Sequence, residues 1–463
     1  MSDASNLFAK NFYDVKYEDL SEKAVEETKK QILDYIGVAA GGYGQAGAAE
    51  TRELAIEWGG APQSTIIGCG VKVPAPAAAQ ANASMVHSLD FDDVHEAAIM
   101  HPGVVTISSA LAAGEYAGGL TGKELIRNVV VGGDMICRMG LATHPGKDIH
   151  QFGWHFTSIN GFMTSAAVAS CVMGLDMEKM IYAIGLAYHQ SSGNGQAVKD
   201  SVLTKRLGPG FAVRGGVAAA MLAKKGVTGA INSMEGVNGY YYVYHGNDYS
   251  HDILVNELGK RFESEETSIK PYPCCRGTHP SADAALSLAR DYGVEPDNID
   301  NIEIFCGKGT LGLLGEPIEF KAKPRNVVDS QFSLAWVCAT ALAKKRVTLS
   351  SFTDQSIHDP EILSVAAKVK VTYDPKYDTG GLEPIRIDVK LKDGTVHSVE
   401  KLTATGSPEQ PVSFDGCVEK FYGCVEYSTL PMPRENADKI IETVKSLETL
   451  KNINELVKLL SWT

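Results

Sequence analysis

Hydrophobic and polar residues up to about residue 265 recur at the spacing of α-helices. Between Glu22 and Val38, apolar residues return every three or four positions, which predicts an amphipathic helix that ends at Gly41-Gly42. Thr121-Gly-Lys-Glu124 has the form of a capping box, which marks the start of another helix. Stretches of small residues, such as Gly161 to Gly174, predict helices whose backbones approach closely.

The pattern then changes to the alternation of half-buried strands. An Asp393-Gly394 pair between two such runs is a strong hairpin signal. The predicted strands are Asn301 to Cys306, Val369 to Tyr373, Ile385 to Leu391 and Thr395 to Val399. Two helical stretches accompany them, Ser281 to Tyr292 before the first strand and Asp329 to Lys344 between the first and the second. This mixture predicts an α+β unit with an antiparallel sheet.

Helical periodicity returns from Pro433 to Leu460. The fold class we predict is therefore mainly α with an α+β second domain. The large all-helical domain would comprise residues 1–267 and 406–463, and the smaller α+β lid domain residues 268–405.

Composition restricts the class of function. The chain has 463 residues with ordinary globular composition and a formal net charge of -13, which argues against broad nucleic-acid binding. Nine cysteines without a repeated spacing indicate free thiols in a reducing compartment. The longest apolar stretch, Phe162 to Leu175, is too short to span a bilayer, and the N-terminus lacks a signal-peptide pattern. We expect a cytoplasmic protein with no membrane partner.

Histidines and carboxylates are concentrated between His87 and His101, where three histidines and four acidic residues share one stretch. Three interpretations compete. The stretch could bind a metal, since His and Asp are common ligands. It could only cap neighbouring helices. It could also perform acid–base catalysis, with Asp90 and His101 as the candidate residues.

Two further segments carry candidate residues. Trp154-His155 precedes a small-residue helix, whose N-terminal dipole would lower the pKa of the imidazole; a satisfied core histidine is the alternative. Lys205, Arg206 and Arg214 flank what we interpret as a Gly/Pro loop opening a helix, which could place cations on one anion. A solvated basic loop is the alternative there.

The fourth segment, Lys270 to His279, is stiffened by prolines at the junction of the two predicted units. Clefts between domains commonly bind small molecules, so Lys270, Tyr272 and Arg276 are candidate substrate contacts and His279 is a candidate catalytic residue. A rigid linker is the alternative. The chain has no GxSxG elbow, so chemistry of a nucleophilic serine of that type lacks support.

These segments resemble the MmgE/PrpD family, which includes 2-methylcitrate dehydratase, cis-aconitate decarboxylase and iminodisuccinate epimerase. The motifs that carry the resemblance are His87-Ser-Leu-Asp90-Phe-Asp92-Asp93 with His101-Pro102-Gly103, Trp154-His155, Thr204-Lys205, and Lys270-Pro-Tyr-Pro with His279-Pro280. The resemblance implies a homodimer, an active site between the two domains, and no metal or organic cofactor. It places functional positions at Asp90, His101, His155, Lys205, Lys270 and His279.

Three positions depart from the family pattern. Val94, followed by His95, stands where Thr-Trp is common, Gly208 where a histidine often follows the Lys-x-Leu motif, and Trp336 where a tyrosine ends a helix motif. The resemblance implies that these positions contact the substrate, so it does not fix which acid is the substrate.

The expected function is that of a lyase or isomerase that moves a proton at a carbon next to a carboxylate of a small di- or tricarboxylic acid. A hydro-lyase similar to 2-methylcitrate dehydratase is the preferred form, with a decarboxylase or epimerase as alternatives. The expected catalytic residues are Asp90, His101, His155, Lys205 and His279, and the expected substrate contacts are Arg206, Lys270, Tyr272, Arg276 and Trp336. A metal-dependent hydrolase and a non-catalytic binding protein for a carboxylic acid are the alternatives from other classes.

Overall fold

A computed structural model describes residues 2–147, 153–379 and 384–462. The protein is mainly helical with a small β-sheet, which confirms the predicted fold class. Backbone contacts divide it into two compact units: Met1–Ala197, Leu203–Ile269 and Ser413–Thr463 form the first, and Val198–Val202 and Lys270–Val412 the second.

Three other properties of the chain are visible at this level. The nine cysteines are free thiols. Among the described residues, no helix combines the length and the apolar character needed to cross a membrane. The segment Val198–Val202, which the sequence-based division left in the helical domain, groups with the second unit.

The first unit is built from helices, with one two-stranded antiparallel ribbon. Its helices are α1 (Ala4–Asp14), α2 (Glu22–Gly42), α3 (Ala48–Trp58), α4 (Ala75–His87), α5 (Pro102–Ala117), α6 (Gly122–Leu141), α7 (Phe156–Val172), α8 (Met177–Tyr188), α9 (Gln196–Lys199, at the border of the second unit), α10 (Thr204–Lys224), α11 (Tyr240–His245) and α12 (His251–Val255). The ribbon pairs β1 (Ser64–Thr65) with β2 (Lys72–Val73).

Small residues let the central helices of this unit pack closely, as the sequence predicts. A Cβ atom on Gly210 of α10 would lie 2.5 Å from Ser84 Oγ of α4. A Cβ atom on Gly216, one turn and a half further on, would lie 2.4 Å from Ser165 Cβ of α7. The helices in the core of this unit therefore pack with their backbones close together, because the residues at their contacts have small side chains.

The prediction of a Gly/Pro loop at the start of α10 is wrong. Residues from Thr204 onward are helical, with Pro209 inside the helix. The glycines on either side of Pro209 allow close packing against neighbouring helices. The sequence prediction treated Gly and Pro only as loop formers and did not consider this packing. Lys205 and Arg206 consequently lie in the first turn of a helix.

Helix α2 shows a related difference. The pair Gly41-Gly42, predicted to end the helix, lies inside its last turn. A Cβ atom on Gly42 would be 2.0 Å from the Met85 carbonyl oxygen of α4, so the glycine is required by the contact between the two helices. The Thr121–Glu124 capping box is present at the start of α6, as predicted.

The second unit combines short helices with a four-stranded sheet. Its helices are α13 (His279–Asp291), α14 (Lys308–Thr310), α15 (Ile318–Ala322), α16 (Val327–Gln331), α17 (Leu334–Lys344) and α18 (Pro360–Ala366). Its strands are β3 (Ile299–Cys306), β4 (Val369–Tyr373), β5 (Ile385–Leu391) and β6 (Val396–Lys401), in the order β4-β3-β5-β6.

The sequence predicted an antiparallel sheet, but the observed sheet contains one parallel pair of strands. Strand β3 pairs in parallel with β4, with Ile304 opposite Val371, and antiparallel with β5, with Ile304 opposite Ile387. The hairpin from β5 to β6 turns at Asp393-Gly394, as predicted, and Gly394 has a φ of 91°, which glycine adopts without strain. The long helix predicted from Asp329 is broken into α16 and α17.

The C-terminal segment returns to the first unit. It contains α19 (Phe414–Tyr427), α20 (Arg434–Lys445) and α21 (Asn454–Leu459). The sequence pattern had predicted helix only from Pro433 onward, so α19 was missed. Its Lys420 forms a buried ion pair with Asp34 of α2 and donates to the Phe91 carbonyl oxygen at 2.7 Å, which ties this helix to the loop after α4.

Candidate active site

A histidine at the end of α4 and another at the start of α5 meet around one carboxylate. His87 is the last residue of α4, and His101 is the N-cap of α5. His87 Nδ1 donates to Asp92 Oδ2 at 2.8 Å, and the same oxygen is 3.4 Å from His101 Nδ1. The two ring centroids are 4.8 Å apart. Asp92 and His87 are almost completely buried, whereas His101 is partly exposed.

Hydrogen bonding fixes the tautomer of the neutral His101 ring. Its Nδ1 lies 2.7 Å from the Asp93 carbonyl oxygen, which can only accept a hydrogen bond. The proton of the neutral ring is therefore on Nδ1, and the lone pair is on Nε2. The backbone N–H of His101 donates to Thr157 Oγ1 at 3.0 Å, which connects this residue to α7.

Asp93 anchors the start of α5. Both of its carboxylate oxygens accept from the Gly103 backbone N–H, at 3.1 and 3.0 Å, and a Cβ atom on Gly103 would lie 2.6 Å from Asp93 Oδ2. Burial, followed by the charges of Asp92 and Asp34, raises the pKa of Asp93 well above its usual value. The turn that carries Asp92 is thereby held against the helix that carries His101.

His155 lies beside the same cluster, from a different part of the chain. It is the N-cap of α7, and its ring centroid is 5.8 Å from that of His87. Burial, followed by the charges of His87 and Lys205, lowers the pKa of His155 to about 3. The direction of the shift was predicted, but burial is its largest cause rather than the helix N-terminus. The imidazole is therefore neutral near pH 7.

A buried ion pair completes the cluster. Lys205 Nζ, from the first turn of α10, lies 2.8 Å from Asp90 Oδ1, and both side chains are almost fully buried. Asp90 has a φ of 52°, in the left-handed region that aspartate tolerates better than most residues. Both charges of the pair act on the pKa of His155, which Lys205 lowers and Asp90 raises.

The first unit thus brings together four of the residues singled out from the sequence, namely Asp90, His101, His155 and Lys205. Sequence reasoning missed His87 and Asp92 as members of the group, although both lie in the stretch that drew attention. His87 lies at the end of a helix and Asp92 in the loop that follows it. Neither position indicated in the sequence that the two residues would lie beside the other imidazoles. Arg206, by contrast, donates from Nη1 to the Ala46 carbonyl oxygen at 3.0 Å.

The same cluster is the metal-binding candidate among the residues that the structure describes. Ligand atoms of His87, Asp92 and His101 lie within 4.8 Å of one another. Both Nδ1 atoms already donate hydrogen bonds, to Asp92 Oδ2 and to the Asp93 carbonyl oxygen. An ion bound through either Nδ1 would have to replace a proton. The hydrogen-bonded arrangement accounts for the geometry without an ion.

The other candidate residues belong to the second unit, where Lys270 is almost fully buried. Tyr272 donates to Asp283 Oδ1 at 2.7 Å, and its ring centroid is 5.2 Å from that of His279. Burial, followed by the charge of Asp283, raises the pKa of Tyr272. Tyr272 is therefore a hydrogen-bond donor that does not ionise in the physiological range.

Arg276 and His279 are bonded to each other. Arg276 Nη1 donates to His279 Nδ1 at 3.1 Å and to the Thr405 carbonyl oxygen at 2.8 Å. His279 Nε2 donates to the Cys274 carbonyl oxygen at 3.2 Å, so both ring nitrogens are engaged within this unit. In this arrangement His279 orients the guanidinium of Arg276, and its proposed role in proton transfer stays a prediction.

Trp336 lies in the core of the second unit. Its side chain is fully buried on α17, and Nε1 donates to the Ser351 carbonyl oxygen at 3.4 Å. An indole in this position supports the packing of the unit and presents no surface to a ligand. The predicted substrate contact from Trp336 therefore has no support in the described geometry.

The mainly helical unit gathers three imidazoles, two carboxylates and an ammonium group, and an α+β unit follows it; together they define a two-domain protein with a site suited to proton transfer on an anion. The chain belongs to the MmgE/PrpD family: the family's N-terminal domain matches residues 6–252, and its C-terminal domain matches residues 272–448. The resemblance noted in the sequence is confirmed.

Similar proteins cover nearly the whole chain. A "Cis-aconitate decarboxylase-like protein oryM" of Aspergillus oryzae is 25% identical over 97% of this chain and 95% of its own length. The "Cis-aconitate decarboxylase" of Aspergillus terreus is 25% identical, over 96% of this chain and 93% of its own. The mouse protein of the same name is 26% identical, over 99% and 94%.

Proposed function

We propose that the protein is a lyase that acts on a small di- or tricarboxylic acid by proton transfer at a carbon next to a carboxylate. The observation that carries the proposal is the convergence of His87, His101 and His155 with Asp92 and the Lys205–Asp90 pair in the first unit. The names of the relatives and the family membership support the class of reaction.

The chemistry of this class has one difficult step. When the C–H bond next to a carboxylate breaks, its proton goes to a base and its electron pair moves into the carboxylate, which becomes an enediolate. A base of suitable pKa and groups that stabilise the new charge are therefore both needed. His101 is the proposed base, through the lone pair on Nε2, and the Lys205 ammonium is the proposed stabilising charge.

We place decarboxylation of an acid of the cis-aconitate type ahead of dehydration as the particular reaction. The C–C bond to one carboxylate breaks, carbon dioxide leaves, and the electron pair that remains takes a proton from an acid in the site. The preference for a hydro-lyase drawn from the sequence has no counterpart in the names of the relatives. Dehydration of a hydroxy acid is the second candidate, and there the proton moves in the opposite direction, from the carbon to the base.

The test uses the full chain, purified, with cis-aconitate and with citrate-type hydroxy acids in deuterated water, followed by NMR. Loss of carbon dioxide with incorporation of deuterium into the product supports decarboxylation, and loss or gain of water with exchange supports a hydro-lyase. Absence of exchange and of turnover with every acid in the panel would overturn the proposal.

Two substitutions connect the reaction to the cluster. We expect His101→Gln to lower kcat by about 100-fold or more, because general acid–base catalysis contributes about 10²- to 10⁴-fold. The exposed His189 at the end of α8 provides the control, and His189→Gln should leave turnover unchanged. Full activity of the His101 variant would remove its assignment as base.

A further inference from the structure

Ser158, in the first turn of α7, is enclosed by two glycines from other parts of the first unit. A Cβ atom on Gly193, in the turn after α8, would lie 2.5 Å from Ser158 Cβ. A Cβ atom on Gly208 of α10 would lie 2.4 Å from Ser158 Oγ and 3.5 Å from His155 Nδ1. The space occupied by the hydroxyl exists because both positions lack a side chain.

The hydroxyl is directed at one atom. Ser158 Oγ lies 2.7 Å from His155 Nδ1, and Ser158 is almost completely buried. The backbone holds the two residues in register, since Ser158 N–H donates to the His155 carbonyl oxygen at 2.9 Å and His155 N–H donates to the Gly193 carbonyl oxygen at 3.1 Å. The imidazole is therefore fixed both through its backbone and through its ring.

The direction of this hydrogen bond follows from the partners of the hydroxyl. Among the described residues, His155 Nδ1 is the one hydrogen-bond partner of Ser158 Oγ. If Nδ1 carried the proton, the buried hydroxyl would accept and its own hydrogen would have no acceptor, which is costly inside a protein. If Nδ1 carries the lone pair, the hydroxyl donates to it and both groups are satisfied. The proton of the neutral ring is then on Nε2.

We propose that Ser158 is a positioning residue that fixes His155 as its Nε2–H tautomer, opposite to the Nδ1–H tautomer of His101. His155 then donates a hydrogen bond from Nε2 to the carboxylate oxygen on which charge collects, while His101 transfers the proton to or from carbon. No proton leaves His155 in this step. The assignment of roles rests on the proposed function, whereas the assignment of tautomers does not.

The tautomers are measured directly by NMR of the full chain labelled with ¹⁵N-histidine, in which the couplings of the ring nitrogens to the carbon-bound protons distinguish the two forms. The signals of His155 and His101 are assigned by their loss in His155→Asn and His101→Gln. We expect Nε2–H for His155 and Nδ1–H for His101. An Nδ1–H form of His155 in the unsubstituted protein would overturn the proposal, whether or not a substrate has been found.

Two variants test the part played by Ser158. Ser158→Ala removes the donor, and Gly208→Ala displaces it by placing a methyl group where Oγ now lies; each should shift the His155 signals towards the other tautomer. Ser170→Ala is the matched control, since this buried hydroxyl lies on the same helix and has no hydrogen-bond partner in the described structure. An unchanged His155 tautomer in Ser158→Ala would refute the positioning role.

Kinetics separate this role from general support of the fold. With the substrate identified above, Ser158→Ala should lower kcat by about tenfold with little change in KM, because the hydrogen bond from His155 strengthens only as charge develops. The control Ser170→Ala should keep both constants. A rise in KM at unchanged kcat would show that His155 contributes to binding alone and would contradict the proposed donation.

Discussion

The neutral state of His155 makes a quantitative prediction about stability in acid. The unfolded chain takes up a proton on this imidazole near the ordinary histidine pKa of 6.5, whereas the folded protein does so only near a pKa of about 3. The unfolded state therefore binds more protons between these values, and the free energy of unfolding falls as the pH is lowered through this window. Above about pH 6.5 the contribution is fully present.

The perturbation is His155→Asn, which keeps a polar group near Ser158 but cannot take up a proton. One pKa unit corresponds to about 1.4 kcal/mol, so between pH 7 and pH 5 the unsubstituted protein should lose about 2 kcal/mol that the variant does not lose. Asparagine is a favourable N-cap residue and adds a constant offset at every pH, so the difference in slope is the informative quantity.

The assay is urea unfolding at a series of pH values, followed by circular dichroism, for the unsubstituted protein, His155→Asn and Ser170→Ala. The free energy of unfolding of the Ser170 variant should change with pH as that of the unsubstituted protein does, since the substituted hydroxyl does not titrate. Parallel curves for the unsubstituted protein and His155→Asn would show that the folded imidazole takes up a proton as readily as the unfolded one. The neutral hydrogen-bond donor inferred for the site would then be excluded.

Three further predictions concern the surroundings of the imidazoles. Asp90→Asn and Lys205→Met should each destabilise the protein by about 3–5 kcal/mol in urea unfolding, because each breaks a buried ion pair and leaves one charge without its partner. The double variant should lose much less stability than the sum of the two single losses. Additive losses would contradict the coupling. Gly103→Ala should cost about 1–3 kcal/mol, because its methyl group would displace the Asp93 carboxylate from the start of α5; a variant with unchanged stability would show that this turn can relax. Incubation with EDTA should leave turnover unchanged and elemental analysis should find no stoichiometric transition metal, whereas loss of activity that zinc or manganese restores would favour the metal interpretation of the cluster.

Much of the architecture could be predicted from the sequence because it depends on local periodicity. The helical spacing after Glu22, the Thr121–Glu124 capping box and the Asp393-Gly394 hairpin each depend on residues a few positions apart. The boundaries that failed depend on distant partners. Gly42 and the glycines beside Pro209 look like chain breakers locally, but they lie inside helices because another helix approaches within van der Waals contact.

The candidate site divides in the same way. The sequence by itself determined which residue types were available, the stretch from His87 to His101, and the position of His155 before a helix. Only the tertiary structure decided that His87 lies beside two other imidazoles and that both ring nitrogens of His279 are engaged. Tautomers and pKa values are set by burial and by atoms that are distant in sequence, so no local pattern of residues encodes them.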